Sequence, residues 1–245
     1  MIEKIYDLLC VPRNSRLKSR IPFNQIFKAF SLTIKEQKEI SNNVDKIYLI
    51  GEVNSRNCNY QPVNNDEYVY ETIQYIYIEL NKKDNIEWLD ESFHRIFPNP
   101  IIIIYSIDEE LAYSTSLKRL NKVENNKIVI ENIYNTTFNI QEYFYSKVKD
   151  IMNDRKIVDL FSLYNQIDDI VYLQMLYQTT NKFEYSISIE RIKELYIEIE
   201  ELNKENRNLN TVYNKEKNQA KRMELFMKMK INNQEIENKV KEIEV

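Results

Sequence analysis

Glycine is almost missing from this chain: Gly51 is the only one in 245 residues. Walker loops, dinucleotide fingerprints and G-x-S-x-G elbows all need residues without a Cβ where backbone meets phosphate or turns sharply. One glycine therefore excludes those large nucleotide-binding and hydrolase classes. Histidine is just as scarce, with His94 alone, and there are two cysteines, Cys10 and Cys58. Neither a zinc cage of Cys and His nor a framework of several disulfides can be built from them. No stretch approaches the ~18 apolar residues of a membrane-spanning helix, and Met1–Cys10 lacks an apolar core behind a basic start. A cytoplasmic protein with no membrane partner is expected, and two unpaired cysteines suit a reducing compartment.

The 34 Lys and Arg against 38 Asp and Glu leave a net charge of −4, too small to argue for or against a polyanionic partner. Ile, Asn, Lys and Tyr are heavily used, as in an AT-rich coding sequence. Abundant Lys and Asn therefore carry little functional weight.

Spacing along the chain alternates between helical and strand periods. Ile2, Ile5, Leu8 and Leu9 mark a short amphipathic helix, which Pro12 ends. A basic loop with Arg13, Arg16, Lys18 and Arg20 leads to Ile21-Pro22, which opens a helix with Phe23, Ile26, Phe27 and Phe30 inward. Either Ser31 or Thr33 is placed to cap a third helix, reaching about Asn42, and Thr33 with Glu36 has the spacing of a capping box. Strands are expected over Val44 to Val53, Tyr68 to Leu80, Ile101 to Tyr105, Leu111 to Leu117 and Ile128 to Ile133. Between the second and third, Asp84 is placed to cap a helix through Ile86, Leu89, Phe93 and Ile96, which Pro98 and Pro100 stop. Helices return over Ile140 to Met152 and Ile157 to Val171. The order predicts an α+β fold: a mixed or antiparallel sheet of about five strands with N-terminal and flanking helices, then a long C-terminal helix. The expected division is a globular domain over 1–185 and a helical, coiled-coil segment over 186–245.

That segment has no Pro or Gly, and in residues 188–245 twelve basic and twelve acidic side chains balance. A heptad seam runs through Ile192, Leu195, Ile199, Leu202, Asn206, Leu209 and Tyr213, continues less well through Met223 and Met227, and slips register at Ile236, Val240 and Ile243. As one helix it would reach about 87 Å at 1.5 Å per residue. Its Asn-rich centre, Asn203 to Asn218, leaves a second option in which it folds back on itself. The expected oligomer interface is Ile192, Leu195, Ile199, Leu202, Leu209, Met223 and Met227, with the chain itself or another subunit as partner.

Several short motifs occur in a telling order: Ile21-Pro22 with Phe27 after a basic loop, Ile76-Tyr77-Ile78-Glu79-Leu80-Asn81-Lys82, Ile96-Phe97-Pro98-Asn99-Pro100 leading into Ile101–Ile104, Ser116-Leu117-Lys118-Arg119-Leu120-Asn121, and Lys215-Glu216-Lys217 followed by Arg222-Met223-Glu224-Leu225. The set resembles the bacterial family called domain of unknown function 4391, over nearly the whole chain. A basic residue near Phe23 or Asn24 and an aromatic at Asn99, which the family pattern would carry, are absent. The resemblance implies no established activity. It does imply genomic company with DNA methyltransferases and helicases of restriction or phage-defence loci, which is an association and not a mechanism.

Three functional readings follow. The first is a non-enzymatic accessory subunit of a bacterial DNA-modification or phage-defence system, oligomerising or docking through its C-terminal helix, with no cofactor and no metal. The second is a divalent-metal-dependent nuclease using Glu52, Glu71, Glu79 and Lys82, since such an enzyme needs only a few acidic oxygens and a Lys near the phosphate. Glu79 and Lys82 are three apart, which in a strand points them to opposite faces. The third is a stand-alone nucleic-acid-binding protein, with Arg13, Arg16, Lys18 and Arg20 beside Phe23, Phe27 and Phe30, and Lys118 and Arg119 as a second basic spot. His94 reads as a partly exposed helical residue, and Cys10 and Cys58 as incidental.

Overall fold

The N-terminal 43 residues of the computed structural model, which describes residues 1–123 and 127–244, are mainly helical. The spacing of Ile2, Ile5 and Leu8 produces α1 (Ile2–Leu8). The expected basic loop is instead a short turn, Arg13–Ser15, followed by strand β1 (Arg16–Arg20). Helix α2 (Phe23–Ala29) buries only Ile26 of its four inward candidates; Phe23 and Phe27 stack on one another at 5.8 Å, and Phe30 lies beyond the helix, 40% exposed. Helix α3 (Ile34–Asn43) starts in a complete capping box: the Glu36 amide donates to the Thr33 hydroxyl while the Thr33 amide donates to the Glu36 carboxylate. These bonds and Arg95 hold the Glu36 carboxyl down at about 2.

From Val44 the chain builds β2 (Val44–Asn54), a two-residue pair β3 (Val63–Asn64) and β4 (Val69–Tyr70), and β5 (Thr72–Leu80). The single strand expected over Tyr68 to Leu80 is thus broken at Glu71. Helix α4 (Ile86–Ile96) follows, with Asn85 in the left-handed region, rather than Asp84, at its N-cap position and no side-chain cap, and leads to β6 (Ile101–Ile107), β7 (Glu110–Leu120) and β8 (Ile128–Asn135). The β6–β7 turn places both Asp108 and Glu109 at positive φ, the conformation a two-residue hairpin needs to match strand twist.

Six strands form one mixed sheet in the order β1-β2-β5-β6-β7-β8, one more than expected because of β1. Every neighbouring pair is antiparallel except β5 and β6, which α4 joins as a parallel crossover. Both faces are covered, which is why β6 reads as an unbroken apolar run. Ile101 and Ile103 pack with α2, α3 and α4 through Ile26, Ile40, Leu89 and Phe93. Ile102 and Ile104 face the opposite core, shared with α1, α5 (Glu142–Asn153) and α6 (Leu160–Thr180). Gly51 has a steric reason: a Cβ there would stand 3.2 Å from the ring of buried Tyr75 on the next strand.

The chain divides into two compact units, Met1–Asn181 and Lys182–Val245. The second is helical, but not as one continuous rod. Helix α7 (Ile189–Lys215) and α8 (Gln219–Glu244) are separated at residues 216–218 and run antiparallel, with Arg191 paired to Glu242 and Glu205 to Lys228. Side chains make the stop: the Glu216 carboxylate accepts from the amides of Lys217 and Asn218, and Asn218 Oδ1 accepts from those of Ala220 and Lys221. Among the described residues no helix is long and apolar enough to cross a membrane.

Candidate functional site

The α7–α8 hairpin has an inner seam and an outer stripe. Ile192, Leu195 and Ile199 of α7 and Ile243 of α8 are buried, and Leu202 and Leu209 are half-buried. A polar layer interrupts the seam: Asn232 Nδ2 donates to Asn206 Oδ1 and to Glu205, each at 3.0 Å, and Asn206 Nδ2 donates to Asn233 at 2.8 Å. Such a layer allows one register and penalises its neighbours. Other large apolar groups point outward. Met223, Phe226, Met227 and Ile231 follow the spacing of one helical face on α8 and are 47–62% exposed, with Val212 of α7 at 51%. At the turn end the Arg222 guanidinium lies over the Tyr213 ring at 4.5 Å, beside Met223 and Phe226.

In the first unit, a buried polar cluster forms where α4 crosses β6, β7 and β8. Small residues on β7, Ala112, Ser114 and Ser116, leave room there for polar side chains. Asp90 accepts from the Tyr105 hydroxyl at 2.9 Å and from Asn135 Nδ2 at 2.8 Å; burial raises its carboxyl to about 6, only partly offset by hydrogen bonds from Ser114, Asn135 and Tyr105. One helical turn on, His94 Nε2 meets Ser114 Oγ at 3.1 Å and its Nδ1 has no hydrogen-bond partner. Burial, with a lesser contribution from Lys118, pushes this imidazole well below its ordinary range, so it is neutral. Lys118 is buried and donates to the carbonyls of Phe97 and, at 2.8 Å, Asn99; desolvation lowers its ammonium to about 7. Asp90 borders a cleft of about 690 Å³ between α4 and β8, with Glu87, Glu91, Glu131 and Met175 also on its walls. A bulge in the β7–β8 pairing, between the partners of Ser116 and Lys118, turns Glu131, Asn132 and Ile133 consecutively toward this cleft.

A family model described as Domain of unknown function (DUF4391) matches residues 9–236. The chain belongs to this family. No curated protein matches it, and neither does any solved structure.

The residues that sequence reasoning singled out are distributed over this DUF4391 chain as follows. Arg13, Lys18 and Arg20 are exposed on or beside edge strand β1. Arg16 is turned inward, donating to the Val11 carbonyl at 3.0 Å, with its guanidinium 4.9 Å from the Tyr6 ring centre. Lys118 is withdrawn from solvent by the two carbonyls above, and Arg119 pairs with Glu131 at 3.1 Å. The second basic spot is therefore not a surface patch, because strand parity puts Lys118 on the covered face with Ser114 and Ser116. The four nuclease candidates are not gathered: Glu52 accepts from Gln74 at 3.3 Å, Glu71 from Asn64 at 3.0 Å, Glu79 pairs with Lys46 at 2.9 Å, and Lys82 pairs with Asp84 at 3.5 Å. Glu71 and Glu79 stand at opposite ends of β5, roughly 25 Å apart at 3.3 Å per residue. Among the described residues, no group of three or more His, Cys, Asp or Glu is placed to hold a metal ion.

Of the interface residues, Ile192, Leu195 and Ile199 are already buried, whereas Met223 and Met227 are open. His94 is also buried, not partly exposed. The Asp90 cluster escaped sequence reasoning; the signal available was that Asp90 and His94 are four apart on the face of α4 that also carries Leu89 and Phe93.

Proposed function

We propose that this DUF4391 chain is a non-enzymatic interaction subunit of a bacterial DNA-modification or phage-defence system, working through the turn-proximal half of its C-terminal hairpin. The observation that carries the reading is the outward stripe of Met223, Phe226, Met227 and Ile231 on α8. A large apolar side chain left in water forgoes about 1.5–3 kcal/mol relative to burial, so four on one helical face favour a partner surface. The assignment to a defence system rests on the family's genomic company. The nuclease reading has less support, since Glu52, Glu71 and Glu79 each bond a different neighbour. The nucleic-acid reading retains Arg13, Lys18 and Arg20.

Light scattering, together with co-purification of any methyltransferase or helicase expressed alongside it in the native cells, tests the proposal. Wild-type protein should self-associate or retain such a partner, and Phe226→Asp with Met227→Asp should lose it at unchanged helicity. A wild type that is monomeric and retains no partner refutes it.

A further inference from the structure

Charge is distributed along the hairpin in a way that its own folding does not satisfy. The turn-proximal half, residues 204–231, has eight basic side chains and three acidic ones. The other half, residues 189–203 and 232–244, has nine acidic and four basic. The antiparallel fold sets each half of α7 beside the half of α8 that carries the same sign. Cross-helix pairs relieve this locally, Arg191 with Glu242, Lys239 with Glu198 and Lys228 with Glu205. They leave Lys217, Lys221 and Lys230 exposed at one end and Glu200, Glu201 and Glu237 exposed at the other. Glu200 makes a long surface contact, 3.9 Å to Arg207.

We infer that the occupant of the outer stripe is a second copy of this hairpin, laid antiparallel so that the cationic end of each copy covers the anionic end of the other. This rests on the docking role proposed above and specifies its partner. Two-fold pairing of this kind is self-complementary, because both contacts it creates are the same contact. It brings opposite charges together where one hairpin alone stacks like charges, and it covers apolar groups at both ends: Met223, Phe226, Met227 and Ile231 near the turn, and Ile197 and Val240, 47% and 37% exposed, in the other half. A parallel pairing would join like ends and is disfavoured by the same charges. A nucleic-acid backbone would satisfy the cationic end but offers nothing to the apolar stripe within it.

Three full-length variants test the inference, with circular dichroism as the check on helicity. The first reverses one end (Lys217→Glu, Lys221→Glu, Lys230→Glu), the second the other (Glu200→Lys, Glu201→Lys, Glu237→Lys), and the third carries all six changes. In sedimentation or light scattering, each single-end reversal should weaken the dimer by at least about tenfold, since it places like charges face to face. The six-fold variant should recover it, and added salt should weaken the wild-type dimer. A wild-type dimer that ignores both single-end reversals overturns the antiparallel arrangement while leaving self-association standing. A wild type that is monomeric at micromolar concentration but co-purifies with a neighbouring subunit overturns the second copy and leaves docking standing. A monomer that binds duplex DNA, and loses it in the first variant, overturns the inference in favour of a polyanion at the cationic end.

Discussion

Replacing Asp90 by Asn removes a buried charge while keeping the shape of the side chain. In the native protein burial raises this carboxyl from an ordinary 3.8 to about 6. In the unfolded chain it titrates near its ordinary value. Between those two pH values the native state binds more protons than the unfolded state, so stability falls as pH rises through that window. Above it, the ionised group costs the native state about 3 kcal/mol, at about 1.4 kcal/mol per pH unit. The Asn variant has no such penalty. Its carbonyl can still accept from Tyr105, but its amide meets the amide of Asn135, and turning Asn135 over would take its Oδ1 away from the Thr137 amide, so one hydrogen bond of the cluster is weakened either way. A poorly re-formed bond costs about 1 kcal/mol. Asp90→Asn should therefore be more stable than wild type by about 1–3 kcal/mol at neutral pH, with the gain fading toward pH ~4. Urea unfolding followed by Trp88 fluorescence is a suitable assay, because Trp88 is the only tryptophan and lies on α4 two residues from Asp90. A variant less stable at neutral pH, or a difference constant between acid and neutral pH, would refute the reasoning. A gain of the expected size would mean that wild type retains Asp90 at the expense of stability, as residues that serve a site often are.

Lys118→Met should flatten the stability profile above neutrality. The native ammonium titrates at about 7 and the unfolded one near 10.5, so wild-type stability rises with pH across that window, and urea titrations at stepped pH should show the rise missing in the variant. Gly51→Ala should destabilise by about 1 kcal/mol despite the usual entropic gain of removing a glycine, since the Tyr75 ring that must yield is fully buried; thermal melts that show stabilisation would mean the ring shifts freely. Cysteines replacing Asn206 and Asn232, in a background without Cys10 and Cys58, should oxidise within one chain and run as a monomer on a denaturing gel, whereas a predominantly cross-linked dimer would mean the two helices are exchanged between copies.

Sequence reasoning was most successful where one residue pattern serves one element. The alternation at Ile76, Ile78 and Leu80, the run Ile101–Ile104 and the Thr33–Glu36 box all correspond to observed structure. It failed where backbone pairing does the holding: Arg-Leu-Lys-Ser-Arg contains no β-branched residue, yet it is a strand because β2 offers it a row of partners. The hairpin was half legible. Its seam on α7 is the expected one, but a separate helix begins at Gln219, well before the slip in heptad register at Ile236, and the turn between them lacks Gly and Pro because Glu216 and Asn218 supply the caps. The Asp90 cluster draws on α4, β6, β7 and β8, and convergence of that kind has no trace in local spacing.

The spatial order of the main sheet is also the order of synthesis: β1, β2, β5, β6, β7, β8. Each strand can dock on an edge already present as the chain emerges, and none must wait for a later strand to be inserted beside it. The longest closures are β1–β2, across residues 21–43, and β5–β6, across residues 81–100, and α2, α3 and α4 fill them with local contacts that form early. Loop-closure entropy is thus met in small instalments, which favours rapid assembly for a sheet of this size. Until α5 and α6 arrive, however, the face bearing Ile102, Ile104 and Tyr113 is only partly covered. Ribosome-bound or truncated chains ending before residue 140 should accordingly be the aggregation-prone species.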